Sequence, residues 1–441
     1  MHSHPSFRSV SSCDRHHGAC PRGAMFGHYN HCATVTVPLH HRKRRPARRA
    51  GRRFRWWRKG DNGAVACSSG QTSLRRHGGG GGVYILRSLF LLSLFIALPL
   101  AGGTLLAVGE VRAAAPQGVS GHVPLEAAMV GVNLASGDFG GLPGVYGRDY
   151  VYPGPPQFDY CKAKGLTVVR LPFRWERLQP KLLGPLDAAE LKRLDDAVGL
   201  ARDRHLKILL DVHNYARYRD KLIGTRDVPR AAFADFWKKM AAHYQPEAAI
   251  FAYGLMNEPH DTGGLWPAAA QAAIDAIRTV DVKHAISVCG DGWSGAHSWK
   301  QNNDKLILKD PADNLVYEAH QYFDRDSSGT YRQSYDQSGA TPKLGVERLG
   351  PFVEWLKEHN ARGFIGEFGV PDNDPRWLVV LDNFLAAMKQ NGIGGTYWAA
   401  GPWWGDYPLS VEPRKGKDRP QMEVLELYAG ARQKPQGFKT R

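Results

Sequence analysis

Cysteine is scarce in this chain, and metal-ligand spacing is missing from its main part. Four of the six cysteines, Cys13, Cys20, Cys32 and Cys67, lie near the front, leaving only Cys161 and Cys289 beyond them. No C-x-x-C pair occurs, and beyond residue 115 no two histidines stand in His-x-His or His-x-x-x-His spacing. Those gaps remove the common zinc and thiol-redox signatures. Cys161 and Cys289 can pair in an oxidising compartment or stay as buried thiols; the sequence leaves both open. No glycine-rich phosphate loop follows the first apolar run of the main part, which argues against a nucleotide-binding open sheet. Net charge is the third absence. Residues 1–115 hold 18 Lys or Arg and 3 Asp or Glu, so most of the +16 belongs to them, and residues 116–441 balance 40 against 39. A neutral body excludes a nucleic-acid surface for that part.

The front divides in two. Residues 1–82 are rich in His, Arg, Ser and Gly, show neither a 3.6 nor a 2 period, and are expected to be a disordered basic segment. Within them, 41–59 mixes arginines with Phe54, Trp56 and Trp57, a composition that can bind nucleic acid or anionic lipid. A charged stretch without a selected role is the plainer expectation. Residues 83–115 carry Arg87, an apolar run at 89–100 and Ala113-Ala114-Ala115, the parts of a secretory signal peptide. A membrane anchor is the alternative, since 88–108 is long enough to span a bilayer. Gly102, Gly103 and the Ala-rich exit favour cleavage, hence a secreted or periplasmic protein. The alternative is a body anchored outside the cytoplasm. A signal seldom follows so long a leader, so translation is expected to start near Val83, with 1–82 not made in vivo.

The body, 116–441, alternates apolar strand-like runs with amphipathic stretches. Strands are expected at 129–134, 166–173, 206–213, 250–257, 285–290, 315–322, 363–368 and 394–399. Most are continuously apolar, as parallel strands covered on both faces require. Helices are expected at 187–205, 228–244, 267–282, 344–359, 375–390 and 422–428; the first opens with Asp187 three residues before Glu190, like a capping box. Eightfold alternation predicts an α/β fold, a (β/α)8 TIM barrel in one domain.

Seven of these strands finish at residues with usable chemistry: Arg170; Asp211, His213 and Asn214; Asn257 and Glu258; Asp291 and Trp293; Glu318, His320 and Tyr322; Glu367; Tyr397 and Trp398. In such a barrel the C-terminal strand ends meet in one bowl. Two carboxylates with an arginine, two histidines, a tyrosine and a flat tryptophan suit cleavage of a glycosidic bond. One carboxyl must deliver a proton to the leaving oxygen while the other attacks the anomeric carbon. Taken singly, Glu367 reads as a salt-bridge partner, His213 as a core histidine and Trp398 as packing. Together, at matching strand ends, they read as a site.

The chain resembles glycoside hydrolase family 5, the large cellulase family of retaining (β/α)8 enzymes, over about 129–427. The resemblance is carried by Arg170 in VVRLPFRWERLQP, His213 in LLDVHNYARY, and Asn257 and Glu258 in GLMNEPH. His320 and Tyr322 in YEAHQYFDRDSSGTY, Glu367 in FIGEFGVP and Trp398 in TYWAAGPWWGDY complete it. GVNLASGDFGG, HQYFDRDSSGT and WAAGPWWG are similar to the endo-β-1,4-glucanases among secreted bacterial and fungal cellulases. The resemblance implies double displacement, with Glu258 as acid/base and Glu367 as nucleophile. Arg170 and Tyr322 would hold Glu367 ionised, and Asn257 would bond the sugar 2-hydroxyl. His213 and His320 would shape the site, His320 near the acid/base, and Trp398 would floor it. Trp175, Trp293, Trp403 and Trp404 lie on or near loops after strand ends and are the weaker candidates for flanking sugar platforms.

Retaining chemistry predicts carboxyl groups roughly 5–5.5 Å apart. A monomer is expected, with a β-glucan as partner and neither metal nor cofactor. β-Mannan, xyloglucan and β-1,3-glucan remain same-fold alternatives, because the catalytic set would be the same. A metal-dependent barrel hydrolase on His213, Glu258, His260 and His320 lacks the ligand spacing. A carbohydrate-binding protein with lapsed catalysis is disfavoured by the presence of both glutamates. No cellulose-binding module is expected beyond 422–428, which points to soluble or amorphous glucan.

Overall fold

A computed structural model describes residues 129–430 of the chain. The expectations for residues 1–115 lie outside the described residues. The apolar runs become the strands β1 (Val130–Leu134), β2 (Val168–Phe173) and β3 (Lys207–Val212), then, after a short hairpin, β6 (Ile250–Gly254) and β7 (Ala285–Cys289). β8 (Leu315–Tyr322), β9 (Gly363–Gly369) and β10 (Gly394–Ala400) follow. All eight pair in parallel and close in the order β1-β10-β9-β8-β7-β6-β3-β2, with β2 back against β1. This is the expected (β/α)8 barrel. Expected and observed strands coincide to within a residue or two, except at β6. That strand ends at Gly254 rather than 257, because the chain turns to bring Asn257 and Glu258 over the barrel mouth.

The helices are α1 (Pro155–Ala163), α2 (Trp175–Leu178), α3 (Ala188–Asp203), α4 (Arg230–Tyr244), α5 (Trp266–Arg278), α6 (Trp299–Asn303), α7 (Leu344–Glu358), α8 (Arg376–Gln390) and α9 (Pro420–Glu426). α3 starts at the anticipated cap, the Asp187 side chain accepting from Glu190 N at 2.8 Å. Glu190 does not complete a capping box; its carboxylate takes hydroxyls from Tyr150 at 2.7 Å and Tyr152 at 3.0 Å. α1 had no sequence signal because only Phe158 and Cys161 are buried on it, too few for a stripe. The hairpin of β4 (Arg217–Tyr218) and β5 (Lys221–Leu222) was also unforeseen. Its turn puts Arg219 and Asp220 at φ 47° and 64°, a geometry usually signalled by Asn-Gly.

Apolar side chains fill two separate spaces. Met129, Val168, Leu209, Phe251, Ala252, Ala285, Val316 and Phe364 form a small cluster of their own, formed largely from the N-terminal halves of the barrel strands. A much larger cluster packs the strands against the helices. Cys161 and Cys289 are both buried and free. Among the described residues, no helix is long and apolar enough to cross a membrane.

Candidate active site

Above the apolar plug the barrel is charged. Arg170, fully buried on β2, reaches Asp211 Oδ2 at 3.1 Å, Glu318 Oε1 at 2.9 Å and Glu367 Oε1 at 3.1 Å. It also donates to Asn133 Oδ1 at 2.9 Å and Asn257 Oδ1 at 2.8 Å. Burial works against the Arg170 charge, but Asp211, Glu318 and Glu367 more than offset it and raise its pKa. The same balance acts on Glu318. Burial would raise it, yet Arg170 and then His320 hold it down at about 2.

The catalytic candidates stand over this layer. His320 Nδ1 lies 3.0 Å from Glu258 Oε1 and 3.6 Å from Glu367 Oε2, while its Nε2 lies 3.3 Å from Glu318 Oε1. Burial opposes a charge on that ring, but Glu367, Cys289, Glu258 and Glu318 outweigh it and hold His320 well above the usual imidazole range. A carboxylate oxygen of Glu258 and one of Glu367 lie within 4.8 Å of each other. That is on the retaining side of the separation, about 6.5–9.5 Å, that inverting enzymes need to seat a water. Tyr322 donates to Glu367 Oε2 at 2.8 Å, and burial together with Glu367 keeps its hydroxyl protonated far above the usual range.

Backbone irregularities aim both glutamates. Glu258 has φ 40°, an uncommon conformation for a side-chain-bearing residue and doubly restricted before Pro259. Glu367 faces His320 because β9 carries one extra residue: Ala319 pairs with Ile365, but His320 pairs with Glu367. The bulged residue is Gly366, where a Cβ would lie 1.9 Å from Glu318 Oε1. Only glycine leaves room for that carboxylate.

The walls carry the aromatic candidates. Half-buried Trp398 lies 5.6 Å from the His213 ring and 18° off parallel. His213 is held by Asp211 at 2.8 Å, and Asp211 raises its pKa against the effect of burial. Trp404 packs edge-on to Trp398 at 5.8 Å and to Phe139 at 5.0 Å, and Trp403 is 41% exposed. Trp293 stacks on His260 at 3.6 Å, 6° from parallel. Trp175 is a correction. It is wholly buried between Tyr218, Phe233 and Phe236, as part of the outer core, and has no face to offer a sugar.

The sequence profile described as Cellulase (glycosyl hydrolase family 5) matches residues 130–403. The chain belongs to glycosyl hydrolase family 5. It is similar to a probable endo-β-1,4-glucanase B of Aspergillus oryzae, 36% identical over 310 residues covering 68% of this chain and 90% of that one. Endoglucanase Cel5A of Pseudomonas stutzeri, solved with cellobiose, is 44% identical with a TM-score of 0.67, over 68% of this chain and 92% of that one. The endo-β-1,4-glucanase Xac0029 of Xanthomonas axonopodis pv. citri is 40% identical with a TM-score of 0.65, over 68% and 98% of the two chains.

Three residues of this family 5 site carried no role in the sequence. Asp211 and Glu318 stand among the strand-end residues with usable chemistry, but nothing in the sequence assigns either one a particular part. Asn133 was passed over, although it makes β1 the eighth strand to end in site chemistry. Its amide donates to the bulge carbonyl, Gly366 O, at 2.8 Å. A polar residue inside the apolar run GVNLA was its only signal.

Proposed function

We propose that this chain is a retaining endo-β-1,4-glucanase that works by double displacement. The carrying observation is the closeness of the Glu258 and Glu367 carboxylates across His320. Glu258, protonated at the start, gives its proton to the leaving oxygen as Glu367 bonds the anomeric carbon. Arg170 and Tyr322 fix the two Glu367 oxygens for that attack. As Glu367 spends its charge in the new bond, Glu258 acquires one, so the negative charge passes from one neighbour of His320 Nδ1 to the other. The imidazolium therefore compensates both ends of the step, and Glu318 anchors its far nitrogen. Glu258 then takes a proton from the water that releases the sugar. Asn257, tied to Arg170, presents its amide to the 2-hydroxyl, and Trp398 floors the ring. Trp293 on His260, Trp404 and the exposed Trp403 extend the cleft.

Proton NMR of the first product from a soluble β-1,4-glucan should show the β-anomer; an initial α-anomer would sink the mechanism. Glu258→Gln and Glu367→Gln should keep fold and sugar binding while losing hydrolysis. β-1,4-Glucan is chosen over mannan, xyloglucan and β-1,3-glucan because the similar curated and solved proteins are named as glucanases, and a side-by-side substrate panel tests that choice. We also read 83–115 as an export signal, with 1–82 outside the native product. Peptides from 1–80 in the exported protein would refute this.

A further inference from the structure

His260 handles no proton in the chemistry above, yet it stands two residues after Glu258 with its ring fixed at both nitrogens. Nδ1 lies 2.9 Å from Asp261 Oδ2, and Nε2 lies 3.2 Å from Arg217 Nη1. A guanidinium can only donate, so Nε2 accepts from Arg217 and Nδ1 gives its proton to Asp261. That pattern selects a neutral ring in a single tautomer. Burial lowers its pKa below the usual imidazole value; the Asp261 bond opposes this, and the Arg217 charge adds to it.

Arg217 is itself pinned. Its Nη1 also meets the carbonyls of Tyr215 at 2.6 Å and His260 at 3.2 Å, so the imidazole cannot turn without breaking a shared knot. On that fixed ring lies Trp293, 3.6 Å away and 6° from parallel, with Tyr215 edge-on to the indole at 5.9 Å. The Trp293 amide donates to Pro259 O at 2.9 Å. One short stretch, 258–261, therefore carries the proton donor at φ 40° and holds Trp293 by both backbone and ring.

The barrel order gives direction. Trp398 is on β10, beside Glu367 on β9, whereas Trp293 follows β7, beside the β6 loop that carries Glu258. A glucan with one ring on Trp398 places its leaving sugar toward Trp293. His260 covers one face of the indole, so that sugar takes the other.

We propose that His260 is a positioning residue for the leaving sugar. Clamped by Asp261 and Arg217, it sets the plane of Trp293 and so the point at which the scissile oxygen meets Glu258. The inference rests on the glucanase reading and assigns the residue that aligns its proton transfer.

The test compares kcat/KM on cellopentaose and on dinitrophenyl β-cellobioside for the full chain, His260→Phe and Arg217→Met, with thermal unfolding. His260→Phe keeps a flat ring but cuts both ties, and Arg217→Met keeps the imidazole but releases Nε2. Dinitrophenolate departs without a proton, so its release needs neither the platform nor Glu258. Misalignment of the leaving oxygen sets the expected loss on cellopentaose at roughly tenfold or more, and the loss on the aryl substrate should be far smaller. In a Trp293→Ala background His260→Phe should add less than about twofold, because the two act as one unit. Melting temperatures and the alkaline limb of the cellopentaose pH profile should stay in place. Equal losses on the two substrates overturn the proposal, as does a cellopentaose rate within about twofold of the parent. A displaced alkaline limb also overturns it, since His260 would then act on the Glu258 proton rather than on Trp293. Should His260→Phe fail to fold, Arg217→Met decides alone. A parent protein inactive on both substrates refutes the glucanase reading instead.

Discussion

Arg170 shows why one side chain at the barrel centre cannot be exchanged for another of the same charge. Its planar fork serves Asn133, Asn257, Asp211, Glu318 and Glu367 at once. A lysine keeps the charge but offers a single point of attachment. Arg170→Lys is expected to fold with reduced stability and to lose more than about a hundredfold in kcat, because Asn257 and Glu367 lose their shared anchor. Arg170→Met is a harsher change, taking from three buried carboxylates the cation they share, and should cost about 3–5 kcal/mol in urea unfolding. Equal stability of Arg170→Met and parent would show that the ion cluster does not hold the barrel together. His320 follows the same logic. The resemblance puts His320 near the acid/base Glu258, 62 positions away, but the sequence does not show that Glu318, two residues before it, grips the other ring nitrogen.

At the scale of elements, the strands were legible because parallel barrel strands are apolar on both faces, and the long helices because one stripe faces them. What escaped is where backbone departs from regularity. The β9 bulge reads in sequence as one more apolar strand, FIGEF, yet it decides which face Glu367 takes. Counting on regular alternation there would place Glu367 on the wrong face, because an extra residue inverts the side-chain sequence beyond it. Gly366→Ala isolates that device. Its methyl would meet the Glu318 carboxylate, so the variant should lose about 1–3 kcal/mol of stability. It should also lose activity, as Glu318 drags His320 from between the two glutamates. A fully active, equally stable alanine variant would show that the bulge is not what aims Glu367. The aromatic candidates divided for a similar reason. Trp175 and Trp293 both follow strands, but Trp175 opens α2 and turns outward into the helix layer, while Trp293 sits at φ 62° and folds onto His260.

For the whole molecule, charge inside the barrel sets the pH range of stability. Glu318 falls from the ordinary 4.5 to about 2 on folding, so its contribution is complete above about 4.5 and is lost as pH drops toward 2. His213 and His320 move the other way, each raised from 6.5. A raised histidine stabilises fully below 6.5 and less as pH climbs through its folded value. Asp281 and Asp310, both lowered, add to the acid side. The two trends enclose a plateau, and thermal unfolding should be most resistant between about pH 4.5 and 6.5, declining on either side. Glu318→Gln should flatten the acid limb and soften the alkaline one only in part, since it removes the lowered carboxylate and one partner of His320 but leaves Glu258 and Glu367 beside His320 and Asp211 beside His213. A melting temperature that rises steadily from pH 6 to 9 would mean that His213 and His320 are neutral in the folded protein. The cation that lets Glu258 and Glu367 exchange their charge would then have to be sought elsewhere.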